Sequence, residues 1–263
     1  MKLSDVKKLH QKKYRTQFGY YLVEGEHLVL ELLKVVNVSE SPINAKDITY
    51  YVTEQYKDWL TDNCGSYGEQ SAVEILSSQQ MTQLSDTKSP QGIIACVPLP
   101  THLSSDRLPD NTKQELRSTL NRQYVYLYET QDPGNLGTIL RSLAWFGNFT
   151  LLMSPNSVDP FNSKVVRASM GAIFHVDMEL NVPLSSLATR FEKFACLDMH
   201  GEGIASPSFG DFQCYLFGNE ARGVPKEALE QLNAVAFTIP GSGQIDSLNL
   251  ASAVNICAYE LAR

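Results

Sequence analysis

The sequence predicts an α/β protein in two parts, a small α/β domain followed by a larger one built on a parallel sheet. Three observations carry this expectation. Short apolar runs alternate with amphipathic ones along most of the chain, a proline-interrupted polar stretch divides that alternation near residue 100, and the later runs are separated by intervals long enough for crossover helices. A chain of 263 residues also exceeds one average domain.

In the first part, strands are expected at Tyr20–Val23, Ile48–Thr53, Val73–Leu76 and Gly92–Val97, and helices at Glu26–Val36 and Tyr56–Asn63. Pro98, Pro100 and Pro109 then interrupt a polar stretch whose helical candidate is short, around Thr112–Leu120, so residues 98–122 read as a linker between domains at 1–97 and 123–263. In the second part, apolar runs at Tyr124–Tyr128, Thr150–Met153, Ile173–Val176, Ala195–Met199, Tyr215–Phe217 and Ala236–Ile239 read as strands. Between the first two, Leu136, Ile139, Leu140 and Leu143 recur at the spacing of one buried helix face, with Gly147 placed to end it. A last helix is expected from about Ser247 to Leu261. Strands separated by helices imply parallel pairing with both sheet faces covered.

Composition excludes several classes. Hydrophobic residues make up 43% and charged residues 19%, as in a folded protein rather than a disordered one. The N-terminus lacks a signal-peptide pattern, and the most apolar long stretch, Leu248–Ala262, is too short and too polar to span a bilayer, so a cytoplasmic protein without a membrane partner is expected. The five cysteines are odd in number and have no CxxC spacing, and the five histidines form no ligand grouping, so no metal is expected.

Net charge is −7, yet residues 1–20 carry six Lys/Arg against one acid while the rest carry 16 against 28. Tyr14, Phe18, Tyr20 and Tyr21 lie among or just after those charges, the mixture of phosphate-pairing cations and stacking rings that looped RNA uses. A solvated basic helix with core aromatics is the plainer reading of the same residues.

A Rossmann nucleotide site on the turn Asp132-Pro133-Gly134-Asn135-Leu136-Gly137 fails two tests. The glycines stand as G-x-x-G rather than G-x-G-x-x-G, and Ser154-Pro155 stands where an acid should end the second strand. Two later strand ends carry glycine-bearing loops, Gly218-Asn219-Glu220-Ala221-Arg222-Gly223 and Ile239-Pro240-Gly241 through Ser247-Leu248-Asn249-Leu250, where backbone groups can touch a ligand directly. The ordered set Asn135-x-Gly137-x-x-x-Arg141, GNEARG at 218–223 and IPG…SLNLASA at 239–253 resembles the three motifs of the SpoU (TrmH-like) methyltransferases. The N-terminal part, with Lys12-Lys13-Tyr14-Arg15 and Tyr21-Leu22-Val23-Glu24-Gly25, is similar to the small substrate-binding domain many members carry.

The resemblance implies a SPOUT-type parallel sheet with a C-terminal trefoil knot, a homodimer with an active site built from both subunits, and methyl transfer from S-adenosylmethionine to a ribose 2′-hydroxyl of structured RNA. Ribosomal RNA is favoured over transfer RNA, with a non-catalytic RNA binder of the same fold as the other alternative, and no DNA partner is expected. It implies that Arg141 acts on the hydroxyl, as a base or by holding the adjacent phosphate. The second role suits a guanidinium better, because its pKa lies above about 12 and its fork matches phosphate oxygens. It further implies that Asn135 orders the site, that Glu220 organises the cofactor loop, and that Ser247 and Asn249 hold the last loop. Gly218, Ile239 and Leu248 are placed on the cofactor, and Lys12, Lys13, Arg15, Arg167 and Ser169 on RNA.

Overall fold

The computed structural model describes residues 1–38, 41–68, 71–100, 122–245 and 247–263. The expected linker helix at Thr112–Leu120, and nearly all of the 98–122 segment, lie outside the described residues. Contacts divide the chain into two units, Met1–Thr101 with Asp159–Phe174, and His102–Val158 with His175–Arg263.

The first unit contains the helices α1 (Leu3–Lys8), α2 (Lys12–Phe18), α3 (Glu26–Val36), α4 (Glu54–Gly68) and α5 (Ser78–Leu84), with the strands β1 (Tyr20–Glu24), β2 (Thr49–Val52), β3 (Ala72–Ile75) and β4 (Ile93–Pro98). The sheet order is β1-β4-β2-β3, antiparallel except where β2 meets β3. Helix α5 begins with a capping box, in which the Ser77 hydroxyl accepts from the Gln80 amide and the Gln80 side chain accepts from the Ser77 amide. The basic N-terminal segment is amphipathic, because Val6 and Leu9 pack into one cluster with Leu22, Tyr51 and Ile94.

Arg15 is drawn into this unit. It is 3% exposed, with Nη1 donating to the Leu9 carbonyl at 2.7 Å and Nε and Nη2 donating to Asp159 Oδ2 at 3.1 and 2.6 Å. This corrects the expectation that Arg15 binds RNA, since its guanidinium is buried and three of its five N–H groups already donate inside the protein. Sequence alone did not show it, because the pairing acid lies 144 residues away.

The second unit holds a six-stranded, wholly parallel sheet in the order β10-β8-β9-β5-β6-β7. Its strands are β5 (Gln123–Leu127), β6 (Phe149–Met153), β7 (Asp177–Glu179), β8 (Phe194–Gly203), β9 (Cys214–Phe217) and β10 (Val235–Thr238). Helix α6 (Pro133–Phe146) follows β5, α8 (Lys226–Gln231) precedes β10, and α9 (Leu250–Ala262) packs on α6. The short helix α7 (Ser163–Ser169) belongs to the first unit. Leu136, Ile139, Leu140 and Leu143 of α6 are all buried, as their spacing predicts, and Gly147 caps the helix with φ 72°.

One strand is displaced from its expected place. Ile173 sits in a 3-10 turn, Ala172–Phe174, and the strand is β7, which begins at Asp177. Gly171, with φ 91°, turns the chain there, and Ile173 is buried with the first unit rather than in the second sheet.

The cysteines lie inside. Burial pushes the thiols of Cys96, Cys196 and Cys257 up to about 12, so they are neutral and unreactive near pH 7. Among the described residues no helix is long and apolar enough to cross a membrane, and no group of three or more His, Cys, Asp or Glu could hold a metal.

Removing one partner of a buried ion pair strands the other. Asp159→Ala is therefore expected to lower unfolding stability by about 3–5 kcal/mol in urea denaturation; a loss below about 1 kcal/mol contradicts the role given to the Arg15 pair.

Candidate active site

Strand order reverses between β5 and β9. The chain runs from β5 outward through β6 to β7, then returns to fill the other side, and β5 and β9 stay paired through Leu127 and Phe217. In open parallel sheets, ligands bind beyond the carboxyl ends of strands at such a reversal. All three sequence motifs lie there: α6 after β5, the 218–223 loop after β9, and the 239–249 loop after β10.

A chain of side-chain hydrogen bonds joins the three. Asn249 caps α9, its Oδ1 accepting from the amides of Ala251 and Ser252 at 2.9 and 3.3 Å. Its Nδ2 therefore points away from the helix and donates to Asn135 Oδ1 at 2.9 Å. Asn135 in turn donates from Nδ2 to Glu220 Oε1 at 3.0 Å. An amide has one accepting and one donating end, so the helix cap fixes the direction of every later bond. Asn135 itself is held because the Asp132 side chain caps α6 by accepting from the Asn135 amide at 2.6 Å.

The 218–223 loop is shaped from within. Asn219 is 8% exposed, and its Oδ1 accepts from the amides of Ala221 and Arg222 at 3.0 and 3.3 Å. A side chain on Gly218 would place its first carbon 2.4 to 2.6 Å from the backbone of Gly223 and Val224, so only glycine lets the loop close. Beyond β10 the chain stays open: Ile239 is half-buried, while Ile245 and Leu248 are 73% and 47% exposed. The amides of Gly241, Ser242, Gly243 and Gln244 find no hydrogen-bond partner among the described residues.

Asn135, Glu220 and Asn249 are thus brought together, while two other expected site residues are not. Ser247 is exposed and makes no hydrogen bond among the described residues, and the final helix is capped by Asn249. Arg141 is exposed, without hydrogen bond or ion pair among the described residues. Six residues after Asn135 on one helix, it sits about 9 Å further along the axis and roughly 120° around it.

Of the residues expected to face RNA, Lys12 and Lys13 are exposed, and the ammonium groups of Lys8 and Lys13 each stand 5.7 Å from the Tyr14 ring centroid. Arg167 donates from Nη2 to Asp86 Oδ2 at 3.3 Å and keeps 32% of its side chain exposed. Ser169 is fully buried, its hydroxyl donating to the Val166 carbonyl at 2.7 Å, so it is corrected from an RNA contact to a helix-end contact. The buried side of α7 is set by Val165 and Val166, and Ser169, three residues after Val166, shares it.

Sequence reasoning passed over Asn219 and Glu129. Asn219 lies inside the quoted motif, and its two-residue reach to following amides is a recognisable turn signal. Glu129 offers no such signal, since its position at a strand end gains meaning only through partners distant in sequence.

The model of the SpoU rRNA methylase family matches residues 122–259. The chain belongs to that family. The model of the MRM3-like substrate binding domain matches residues 1–95. The 23S rRNA (guanosine(2553)-2′-O)-methyltransferase RlmP of Bacillus subtilis is 29% identical over 268 residues, covering 99% of this chain and 95% of the relative. An uncharacterised tRNA/rRNA methyltransferase of Synechocystis sp. is 30% identical over 274 residues, covering 99% and 90%. Among solved structures, an AdoMet-bound rRNA methyltransferase from Sinorhizobium meliloti superposes with a TM-score of 0.77 at 23% identity over 98% of this chain and 93% of that one, a likeness of fold.

The amide chain predicts a specific failure. Asn249→Asp keeps a good helix cap but turns a second carboxylate oxygen toward Asn135 Oδ1, acceptor against acceptor. Thermal unfolding should stay within about 3 °C of wild type while methyl transfer falls by at least about tenfold; unchanged transfer contradicts the chain's role.

Proposed function

We propose that this chain transfers a methyl group from S-adenosylmethionine to a ribose 2′-hydroxyl of ribosomal RNA. The observation that carries the reading is the bonded set Asn249, Asn135 and Glu220, which ties three loops from separate strands into one surface at the sheet's reversal. The 23S ribosomal RNA named for the Bacillus subtilis relative supports the substrate class, and the AdoMet-bound neighbour supports the donor.

The residues beyond β9 and β10 fit that donor. Unpaired amides in a glycine-bearing loop can bind its polar groups, Ile239 and Leu248 offer apolar surface for a flat base, and Gly218 lets the loop after β9 close on Gly223. When bound, S-adenosylmethionine supplies a methyl already activated on a sulfonium, so no metal is required. The protein's work is alignment and stabilisation of the hydroxyl oxygen as its proton leaves. Glu220, held by Asn135, fixes the cofactor loop in register with α6. Arg141 holds the phosphate beside the target ribose and stabilises the charge developing on the 2′-oxygen. Ser247 contacts the substrate ribose from the last loop.

The domains divide the labour, with 1–97 binding RNA through Lys12 and Lys13, aided by Arg167, and 123–263 performing transfer. The trefoil knot is part of the same reading. So is a homodimer: Trp145, Ile256 and Tyr259 on the packed helices α6 and α9 are 85%, 36% and 54% exposed, an apolar face suited to a second copy. Arg141 stands one turn before Trp145 on α6, where a partner copy can engage it. The protein then acts in the cytoplasm.

Arg141→Ala is expected to keep calorimetric affinity for S-adenosylmethionine within about twofold while single-turnover transfer falls at least about a hundredfold; full activity removes the assignment. Trp145→Asp should convert the dimer to a monomer in analytical ultracentrifugation, and a dimer that persists removes the helix face from the interface. Replacing Lys12 and Lys13 by Ala should flatten the dependence of log affinity for RNA on log salt by up to about two units; an unchanged slope returns both to an ordinary solvated surface.

A further inference from the structure

Glu129 occupies the residue position two beyond the end of β5 with a left-handed backbone, φ 48°, which a long side chain adopts only when its surroundings compel it. Here they do. Its amide donates to Ser154 Oγ at 2.7 Å, just past the end of β6. Its carbonyl accepts from Asn219 Nδ2 at 2.8 Å and from Gln131 Nε2 at 3.0 Å. Its carboxylate Oε2 accepts from Arg222 Nη2 at 2.7 Å, and Oε1 lies 3.5 Å from Asn156 Nδ2. One residue therefore holds the loops that follow three adjacent strands, β6, β5 and β9.

We propose that Glu129 is a positioning residue for the transfer reaction, its carboxylate and carbonyl clamping Arg222 and Asn219 so that Glu220, between them, stays in reach of Asn135. This rests on the functional reading above. Asn219 and Arg222 bond the 218–223 loop to Glu129 in the segment leading into α6, and Glu220 bonds it to Asn135 within α6. The loop's internal bonds, from Asn219 Oδ1 to the amides of Ala221 and Arg222, fix its shape but not its location. Glu129 supplies location. A carboxylate is required rather than any acceptor, because the guanidinium of Arg222 is 70% exposed and would otherwise remain in water. The strained backbone directs the Glu129 carbonyl to Asn219 while its side chain reaches Arg222, an arrangement that a residue in ordinary extended conformation could not offer from the same position.

The test compares steady-state RNA methylation by wild type, Glu129→Gln, Arg222→Met, Glu220→Gln and the double variant Glu129→Gln/Glu220→Gln, with a charge-swapped Glu129→Arg/Arg222→Glu chain alongside. Arg222→Met alters an exposed side chain and keeps the test valid if changes at the strained position impair folding. Glu129→Gln and Arg222→Met should each lower kcat by about tenfold or more with KM for RNA within about twofold, as expected of misplaced groups rather than lost binding. In the Glu220→Gln background, Glu129→Gln should cost less than about twofold further, because its effect runs through Glu220. The charge swap should recover part of the loss. Multiplicative losses in the double variant, or full kcat in both single variants of the pair, overturn the proposal. An inactive wild type takes down the functional reading and this proposal with it, whereas an active wild type with unaffected variants takes down this proposal alone.

Discussion

The site depends on a constraint of polarity that starts at a helix end. The first amides of α9 have no partner within the helix, and Asn249 satisfies two of them with its single oxygen. That leaves its nitrogen as the group facing α6, obliges Asn135 to present oxygen there, and obliges the next group to be an acceptor. Glu220 is that acceptor. An aspartate cap would serve the helix equally well but would reverse the sense of everything beyond it, so asparagine at 249 answers to two demands at once.

Close backbone approach is the second constraint, and it explains where side chains are missing. Gly218 lets the loop after β9 fold onto Gly223, and Gly201 lies where a side-chain carbon would stand 2.3 Å from the Ala236 carbonyl. Near Gly201, β10 pairs with β8 in two stretches, Val235 and Ala236 against Ala195 and Cys196, then Phe237 and Thr238 against Glu202 and Gly203. The five residues 197–201 of β8 lie between these stretches without a register partner in β10.

Much of this was legible in the sequence because it is local. The period of Leu136, Ile139, Leu140 and Leu143 gives α6 and its buried face, the apolar runs give five of the six strands of the parallel sheet, and the ordered motifs place three loops at strand ends. What stayed hidden depends on partners remote in sequence. Arg15 looks like one more cation of a basic segment until Asp159 is found beside it, and Ser169 looks like a phosphate contact until α7 turns it inward. The strand expected at Ile173–Val176 fails for the same reason, since an apolar run records burial without recording which unit provides it. Asn135 and Glu220 were each visible as motif members, but their bond spans 85 positions and needs the sheet to bring them together.

The claim that the joined loops aim a methyl group at a sugar oxygen is tested most directly by where the methyl lands. The purified chain is incubated with methyl-labelled S-adenosylmethionine and unmodified ribosomal RNA, and the product is hydrolysed in alkali. A methylated 2′-oxygen blocks cleavage of the following phosphodiester, so the label should emerge in alkali-resistant dinucleotides. Label recovered in single nucleotides, as from a methylated base, contradicts it.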